Sequence, residues 1–253
     1  MIEARQLSKQ FHDKKRGPIR AVDGVSFRCQ RGQIYGLLGA NGAGKTTTLR
    51  LLATILEPTD GTAVVAGYDV ITQAEKVRAN VGFLSTATAL YGRLTAREMV
   101  EYFGRLHGLE EALLRRRMDE IFERLEMNEF RDRRCEKLST GMKQKVSIAR
   151  TLVHDPPVMI FDEPTLGLDV MAARTIIGFI RECREDGKTV IFSTHVMSEV
   201  EKLCDTIGII HDGRLLTEGT LAELRARYGN LDLEEILVRV VEGRVPEGIA
   251  SRP

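Results

Sequence analysis

Residues 39–46 have the types and the spacing of a loop that binds phosphate. They match the pattern G-x-x-x-x-G-K-T, whose glycines let backbone N–H groups approach phosphate oxygens closely. The Lys45 ammonium would reach the β- and γ-phosphates, and the Thr46 hydroxyl would bind Mg²⁺. We therefore predict a nucleoside triphosphate site with contacts from Gly39, Ala40, Asn41, Gly42, Ala43, Gly44, Lys45, Thr46 and Thr47.

Two carboxylates and one histidine follow other apolar runs and could complete the chemistry. Asp162 and Glu163 come directly after the apolar run 158–161. Asp162 is suited to hold Mg²⁺, directly or through water, and Glu163 to orient or deprotonate an attacking water. Such a pair can also simply end a strand, so its role depends on the phosphate loop. His195 follows the run 189–193 and would reach the γ-phosphate, although a lone histidine is as often structural.

The segments that must position these residues predict a parallel sheet. An apolar run at 35–38 leads into the phosphate loop, and a helix is expected at 47–55 with its positive end toward the anion. Apolar runs at 157–161 and 189–193, with a helix predicted at 170–184 between them, indicate a βαβ unit. The carboxyl ends of such strands meet at one edge of the sheet, where ligands bind.

Further segments surround this core. Strand patterns at 21–27 and 62–66 predict antiparallel strands on both sides of the loop, and 207–217 predicts a hairpin with an Asp-Gly turn. A helical period over 96–137, with interleaved charges, indicates an inserted helical subdomain. The predicted fold class is α/β, a P-loop NTPase core with an antiparallel β subdomain and an inserted α-helical subdomain. A basic surface turn is predicted at 14–18, a helix at 220–228 and a mixed tail at 233–241.

Composition argues against several classes of partner. The chain has 37 basic and 36 acidic residues, so no excess of positive charge favours nucleic acid or an anionic membrane surface. No segment approaches the roughly 18 apolar residues that span a bilayer, and the N-terminus lacks the apolar region of a secretory signal. A partner would therefore have to hold the protein at a membrane. The spacing of the cysteines favours buried free thiols in a reducing compartment; they are Cys29, Cys135, Cys183 and Cys204.

The order of the motifs resembles that of the ATP-binding cassette (ABC) ATPases. After the phosphate loop come Leu-Ser-Thr-Gly-Met at 138–142, Asp-Glu-Pro-Thr at 162–165, Gly-Leu-Asp at 167–169 and Thr-His at 194–195. A kinase or GTPase would leave the first and last of these without a role, and the sequence has no guanine-reading Asn-Lys-x-Asp run. Within the family, the chain looks most similar to the cassettes of ABC-2-type exporters, including the sodium-extrusion group.

The resemblance runs from about residue 2 to residue 225. It implies a nucleotide-binding domain over 1–225, with a helical subdomain inserted at about 88–137, and a C-terminal extension over 226–253. It also implies ATP and Mg²⁺ as cofactors and a separate transmembrane permease subunit as a partner. The protein would lie at the cytoplasmic face of the cell membrane, held there by that permease.

The resemblance further implies a site that two copies of the chain complete. Family members dimerise head to tail, so that Ser139 and Gly141 of the second copy would cover the ATP. The alternative from local sequence is that Ser139 simply caps a helix. Asp169 would lie in the loop that crosses the dimer interface.

Other roles are carried over position by position. Phe11 would stack on adenine, although a place in the core is an equal alternative. Asp162 would support the metal, Glu163 would be the general base, and His195 would contact the γ-phosphate. Thr86 aligns with a glutamine that in the family senses Mg²⁺ and the attacking water.

Three residues depart from the family pattern. Thr140 replaces a glycine and would be disfavoured at positive φ, Met142 lacks the hydrogen-bonding amide of glutamine, and the Thr86 hydroxyl is shorter than a glutamine side chain. These departures predict intact ATP binding and leave the rate of hydrolysis and its coupling to transport in question. The leading hypothesis is the ATPase subunit of an exporter for sodium, another cation or a drug. The alternative is a regulatory or non-transport cassette with weak hydrolysis.

Overall fold

The computed structural model describes residues 1–13, 17–85 and 89–243. Its strands are, in chain order, β1 (Ile2–Asp13), β2 (Gly17–Cys29), β3 (Ile34–Leu38), β4 (Asp60–Val65), β5 (Tyr68–Asp69), β6 (Val81–Ser85), β7 (Val158–Asp162), β8 (Thr189–Thr194), β9 (Thr206–His211) and β10 (Arg214–Gly219). Its α-helices are α1 (Lys45–Leu52), α2 (Ala74–Ala79), α3 (Ala96–Leu106), α4 (Glu111–Arg124), α5 (Thr140–Leu152), α6 (Val170–Glu185), α7 (Met197–Leu203), α8 (Leu221–Arg227) and α9 (Leu233–Val241). Within the described ranges, no helix has both the length and the apolar character of a membrane span.

The central sheet has six strands in the order β10-β9-β3-β8-β7-β6. Strands β3, β6, β7, β8 and β9 pair in parallel, and β10 pairs antiparallel with β9. β7 is apolar from Val158 to Phe161 because both of its faces are buried: Val158 and Ile160 enter one core, and Met159 and Phe161 enter the other. The predicted parallel sheet is therefore confirmed. The phosphate loop follows β3, Asp162 and Glu163 lie at the carboxyl end of β7, and His195 follows β8.

A second, antiparallel sheet has the order β2-β1-β4-β5. It packs over one face of the central sheet, where Leu7 and Val25 share a core with Tyr35 and with Leu49 of α1. The opposite face carries a core to which α3 to α9 contribute buried side chains. The fold is thus that of a P-loop NTPase with an added antiparallel sheet, as the sequence predicts.

Helices α3 and α4 form an excursion from the core, which we call the helical excursion (residues 95–134). Thr95 and Arg134 form an isolated antiparallel β-bridge, and Cys135 N donates a hydrogen bond to Leu94 O at 2.8 Å. Thr95 also caps α3 in a capping box with Glu98. The two ends of the excursion therefore lie side by side, while the exact domain boundaries stay a prediction.

The C-terminal part is more regular than predicted. Asp212 and Gly213 turn the β9–β10 hairpin with φ of 45° and 77°, which confirms the expected Asp-Gly turn with positive φ at both positions. The segment expected to be a mixed tail contains α9, capped by Asp232, which accepts a hydrogen bond from Glu235 N at 2.8 Å. This helix of nine residues is too short for its periodicity to identify it alone.

Two smaller predictions have separate outcomes. The cysteines are free thiols, as expected, and three of them are buried while Cys204 is partly exposed. The basic turn expected at 14–18 lies largely outside the described residues, since 14–16 are not among them.

Candidate nucleotide and catalytic site

The loop at residues 39–46 joins the buried strand β3 to α1. Gly42 and Gly44 have φ of 83° and 107°, a backbone region that glycine adopts without steric penalty. Among the described residues, no side chain caps α1, and its first turn holds no acidic residue. The positive end of the helix dipole and the first backbone N–H groups are therefore directed at the loop, which is an arrangement that binds anions.

The ammonium of Lys45 lies inside this loop. Lys45 is 5% exposed and donates hydrogen bonds to Gly39 O at 2.7 Å and to Ala40 O at 3.1 Å. Its Nζ also lies 2.9 Å from Glu163 Oε1 in an ion pair without hydrogen-bond geometry. A buried ammonium requires such partners because its desolvation is costly. A bound phosphate could take the place of the Glu163 carboxylate beside this cation.

Thr46 and Asp162 bring two oxygen atoms together at the end of β7. Thr46 Oγ1 donates a hydrogen bond to Asp162 Oδ1 at 2.8 Å. Hydroxyl and carboxylate oxygens are ligands that Mg²⁺ accepts, so these two residues fit the predicted ion. In the described part of the chain, no group of three or more His, Cys, Asp or Glu side chains could hold a metal. The other ligands would therefore be phosphate oxygens and water.

Ser193 links the Asp162 carboxylate to the backbone amide of Glu163 and is absent from the predicted site. It is fully buried, and its Oγ donates to Asp162 Oδ1 at 3.0 Å and accepts from Glu163 N at 3.0 Å. The parallel pairing of β7 with β8 sets Ser193 opposite Asp162. A polar residue at the end of a buried strand is the signal that could have identified it.

Glu163 has an unusual backbone and a constrained side chain. Its φ is 47°, a left-handed value that is uncommon for a residue with a Cβ and that recurs at functional sites. Its side chain is 13% exposed and lies between Lys45 and His195, whose Nδ1 is 2.8 Å from Glu163 Oε2. Thr194 fixes the turn at His195, because its hydroxyl accepts a hydrogen bond from Val196 N at 3.0 Å. This arrangement suits a carboxylate that accepts a proton beside bound phosphate.

Two predicted residues lie outside this network. Phe11, on β1, is 39% exposed and therefore is not a core residue. Lys9 Nζ lies 5.6 Å from the centre of its ring. An exposed aromatic ring suits stacking on a base. Thr86 lies outside the described residues.

Ser139 and Gly141 lie at the start of α5. Ser139 caps this helix, and its Oγ accepts a hydrogen bond from Met142 N at 3.3 Å. Among the described residues, no hydrogen bond or ion pair joins Ser139 or Gly141 to Lys45. The expectation of a strained Thr140 is wrong, because Thr140 is the first residue of α5 and is not among the described residues with positive φ.

Known proteins are similar to this chain in sequence and in fold. The family model described as ABC transporter matches residues 22–166. The ABC transporter ATP-binding protein NatA of Bacillus subtilis (strain 168) is 41% identical over 245 residues, which cover 96% of this chain and 99% of NatA. The Nod factor export ATP-binding protein I of Ralstonia nicotianae is 39% identical over 230 residues, which cover 91% of this chain and 72% of that protein. A dimeric, post-hydrolysis structure of the ATP-binding cassette MJ0796, bound to ADP and Pi, aligns with a TM-score of 0.77 at 27% identity and covers 87% of this chain and 99% of that one.

Proposed function

The chain belongs to the ABC transporter family, and from this premise we propose the roles of its residues as the ATP-hydrolysing subunit of an exporter. Residues 39–46 bind ATP with Mg²⁺, and hydrolysis drives a separate membrane subunit. The observation that supports this most is a set of short contacts between distant parts of the chain. Lys45 lies 2.9 Å from Glu163 and Thr46 lies 2.8 Å from Asp162. Ser193 hydrogen-bonds both Asp162 and the backbone of Glu163. These residues come from three separate parts of the sequence.

The proposed reaction transfers the γ-phosphoryl group to water. A water oxygen bonds to the γ-phosphorus, the bond from that phosphorus to the β,γ-bridging oxygen breaks, and ADP and phosphate result. Glu163 takes the proton of the water, while Lys45 and the first N–H groups of α1 stabilise the negative charge. Thr46 and Asp162 would hold Mg²⁺, which neutralises phosphate charge when bound. His195 orients the Glu163 carboxylate through Nδ1 and presents its other ring nitrogen toward phosphate.

A second copy of the chain is proposed to close the site. The relative MJ0796 is a dimer in its structure with ADP and Pi. In this chain, Ser139 is exposed at the N-terminus of α5, where it and Gly141 would meet the γ-phosphate of the other copy. Exposed apolar side chains flank Asp169, namely Leu166, Val170 and Met171 at 53%, 71% and 69% exposure. Such a patch is typical of a protein interface. Phe11 would stack on the adenine.

Glu163→Gln tests the assignment of the base. The amide cannot accept the proton, so ATPase turnover should fall by at least about a hundredfold. ATP should still bind, and dimers that trap ATP should accumulate in size-exclusion chromatography. Glu185→Gln is the matched control, because Glu185 is exposed at the end of α6 and its variant should keep the turnover of the parent. Brisk turnover by Glu163→Gln would exclude Glu163 as the base.

The membrane partner and the transported substrate are proposed only as classes of molecule. The partner is a transmembrane permease subunit, which holds the protein at the cytoplasmic face of the membrane, and the cargo is sodium, another cation or a drug. Similarity to the Nod factor export protein supports export as the direction of transport. Purification of the chain from its native membrane, with identification of the bound permease, tests the partner. Recovery of the chain without any integral membrane protein would contradict it.

The regulatory alternative loses one of its reasons. Thr140 is not strained, so it gives no cause for slow hydrolysis. Turnover of the purified protein, compared with its ATP affinity, separates the two functions. Tight ATP binding without turnover, alone and with the permease, would favour the regulatory cassette.

A further inference from the structure

The turn of the β9–β10 hairpin contacts the phosphate loop directly. Gly213 N donates a hydrogen bond to Ala43 O at 2.9 Å, and Gly213 O accepts one from Asp23 N at 2.8 Å. The turn is thus bonded to the loop on one side and to β2 on the other. A glycine distant in sequence therefore holds a backbone carbonyl of the predicted phosphate site.

The phosphate loop and the hairpin turn lie so close to neighbouring backbone atoms that three positions require glycine. A Cβ added to Gly213, whose φ is 77°, would lie 2.9 Å from Ala21 O, and one added to Gly44 would lie 2.6 Å from the same atom. A Cβ on Gly39 would meet Ile210 O of β9. These obstacles are backbone atoms of paired strands, which cannot rotate away as side chains can.

An ion pair reinforces the turn on its exposed side. Arg214 Nε donates to Asp23 Oδ2 at 2.7 Å, with the two side chains 67% and 19% exposed. Asp23 also receives a hydrogen bond from Arg20 at 2.9 Å. The backbone bond from Asp23 to Gly213 and this ion pair hold the hairpin against β2 together.

We propose that Gly213 is a positioning residue for nucleotide binding. The hairpin turn holds Ala43, and through it the loop, in the conformation whose N–H groups receive phosphate. This inference rests on the proposed binding of phosphate by residues 39–46. Displacement of the turn should weaken binding of both ATP and ADP, because both place phosphate in the same loop.

Gly213→Ala in the full chain tests this with equilibrium titrations of ATP and ADP. The added Cβ must move the turn away from β2, so both Kd values should rise about tenfold or more. Gly229→Ala is the control, because Gly229 has a φ of 82° and open space around it. It carries the same penalty for left-handed alanine and should lower Tm without weakening nucleotide binding. Parent affinity in Gly213→Ala would overturn the inference.

Lys45→Ala separates failure of this inference from failure of the proposed function. If Lys45→Ala keeps the ATP affinity of the parent, the proposed phosphate site is wrong, and the inference falls with it. If Lys45→Ala loses ATP binding while Gly213→Ala binds like the parent, only the role of Gly213 is overturned.

Arg214→Ala keeps the test decisive if Gly213→Ala does not fold. It removes only the exposed ion pair, so ATP and ADP binding should weaken about threefold. Arg225→Ala is its control, since it breaks another exposed ion pair, with Glu201 at 2.8 Å, away from the loop. Equal affinities of the Arg214 and Arg225 variants would overturn the inference.

Discussion

Removal of the Ser193 hydroxyl tests whether this buried side chain positions Asp162 and Glu163 for catalysis. Ser193→Ala deletes the hydrogen bond to Asp162 Oδ1 and the acceptor for Glu163 N, both 3.0 Å long. It adds no atom to a fully buried position. Asp162 keeps its hydrogen bond from Thr46, whereas the backbone amide of Glu163 loses the side chain that holds it at a φ of 47°.

The two hydrogen bonds set the size of the effect. A hydrogen bond to a charged group contributes about 1.5–3 kcal/mol, and a buried amide left unpaired costs about 1–3 kcal/mol. We expect about 1.4–2.7 kcal/mol of this to appear in the transition state, which lowers kcat about tenfold to hundredfold. The proposed contacts to ATP come mainly from Lys45 and the loop, so the Kd for ATP should change less than about threefold.

Steady-state turnover and ATP titrations of the purified variant measure both quantities, with urea titrations for the free energy of unfolding. Thr151→Val is the control, because it removes another buried hydroxyl, which donates to Ser147 O at 2.8 Å within α5. This control should lose stability and keep its turnover. Turnover of Ser193→Ala within about twofold of the parent would refute a positioning role of Ser193.

Two further predictions concern protons and Mg²⁺. Burial lowers the pKa of His154 from 6.5 to about 4. Between pH 6.5 and pH 4, the unfolded chain therefore binds a proton at His154 that the folded chain does not bind. The free energy of unfolding should then fall by about 3 kcal/mol as the pH falls through this range. Urea titrations of His154→Asn should show a smaller fall. An equal fall in the variant would contradict a lowered pKa of His154 as the cause. Thr46→Val removes the hydroxyl that lies 2.8 Å from Asp162, so ATPase activity should fall at least about tenfold and need more Mg²⁺. An unshifted Mg²⁺ titration, with Thr175→Val on α6 as control, would argue against Thr46 as a ligand.

The features of this molecule that can be predicted from the sequence are those formed by residues that are contiguous in the chain. The phosphate loop and the Asp162–Glu163 pair are each local in sequence, so their chemistry can be recognised before the fold is known. The central strands follow from continuous apolar runs, because both of their faces are buried. The longer helices follow from a period of 3.6 residues, because one face is buried. The fold class is therefore accessible from the sequence alone.

The remaining features depend on contacts between distant segments. Ser193 reaches Asp162 only because β7 and β8 pair in one parallel register, and Gly213 reaches Ala43 because β9 lies beside β3. Neither strand encodes its own register. The error at Thr140 has a related cause: its place in the first turn of α5 sets its φ, and the residue type does not.

The closed base of the helical excursion has a consequence for how such a chain can be altered. Because Thr95 and Arg134 form a bridge, the two ends of the helical excursion stay joined. Exposed residues between them can be exchanged, whereas Met99, Leu114 and Phe122 share the core of β7 and β8 and must be kept. A chimera that is joined at this bridge and keeps those core positions would therefore change the exposed surface of the excursion without moving the residues of the proposed catalytic site.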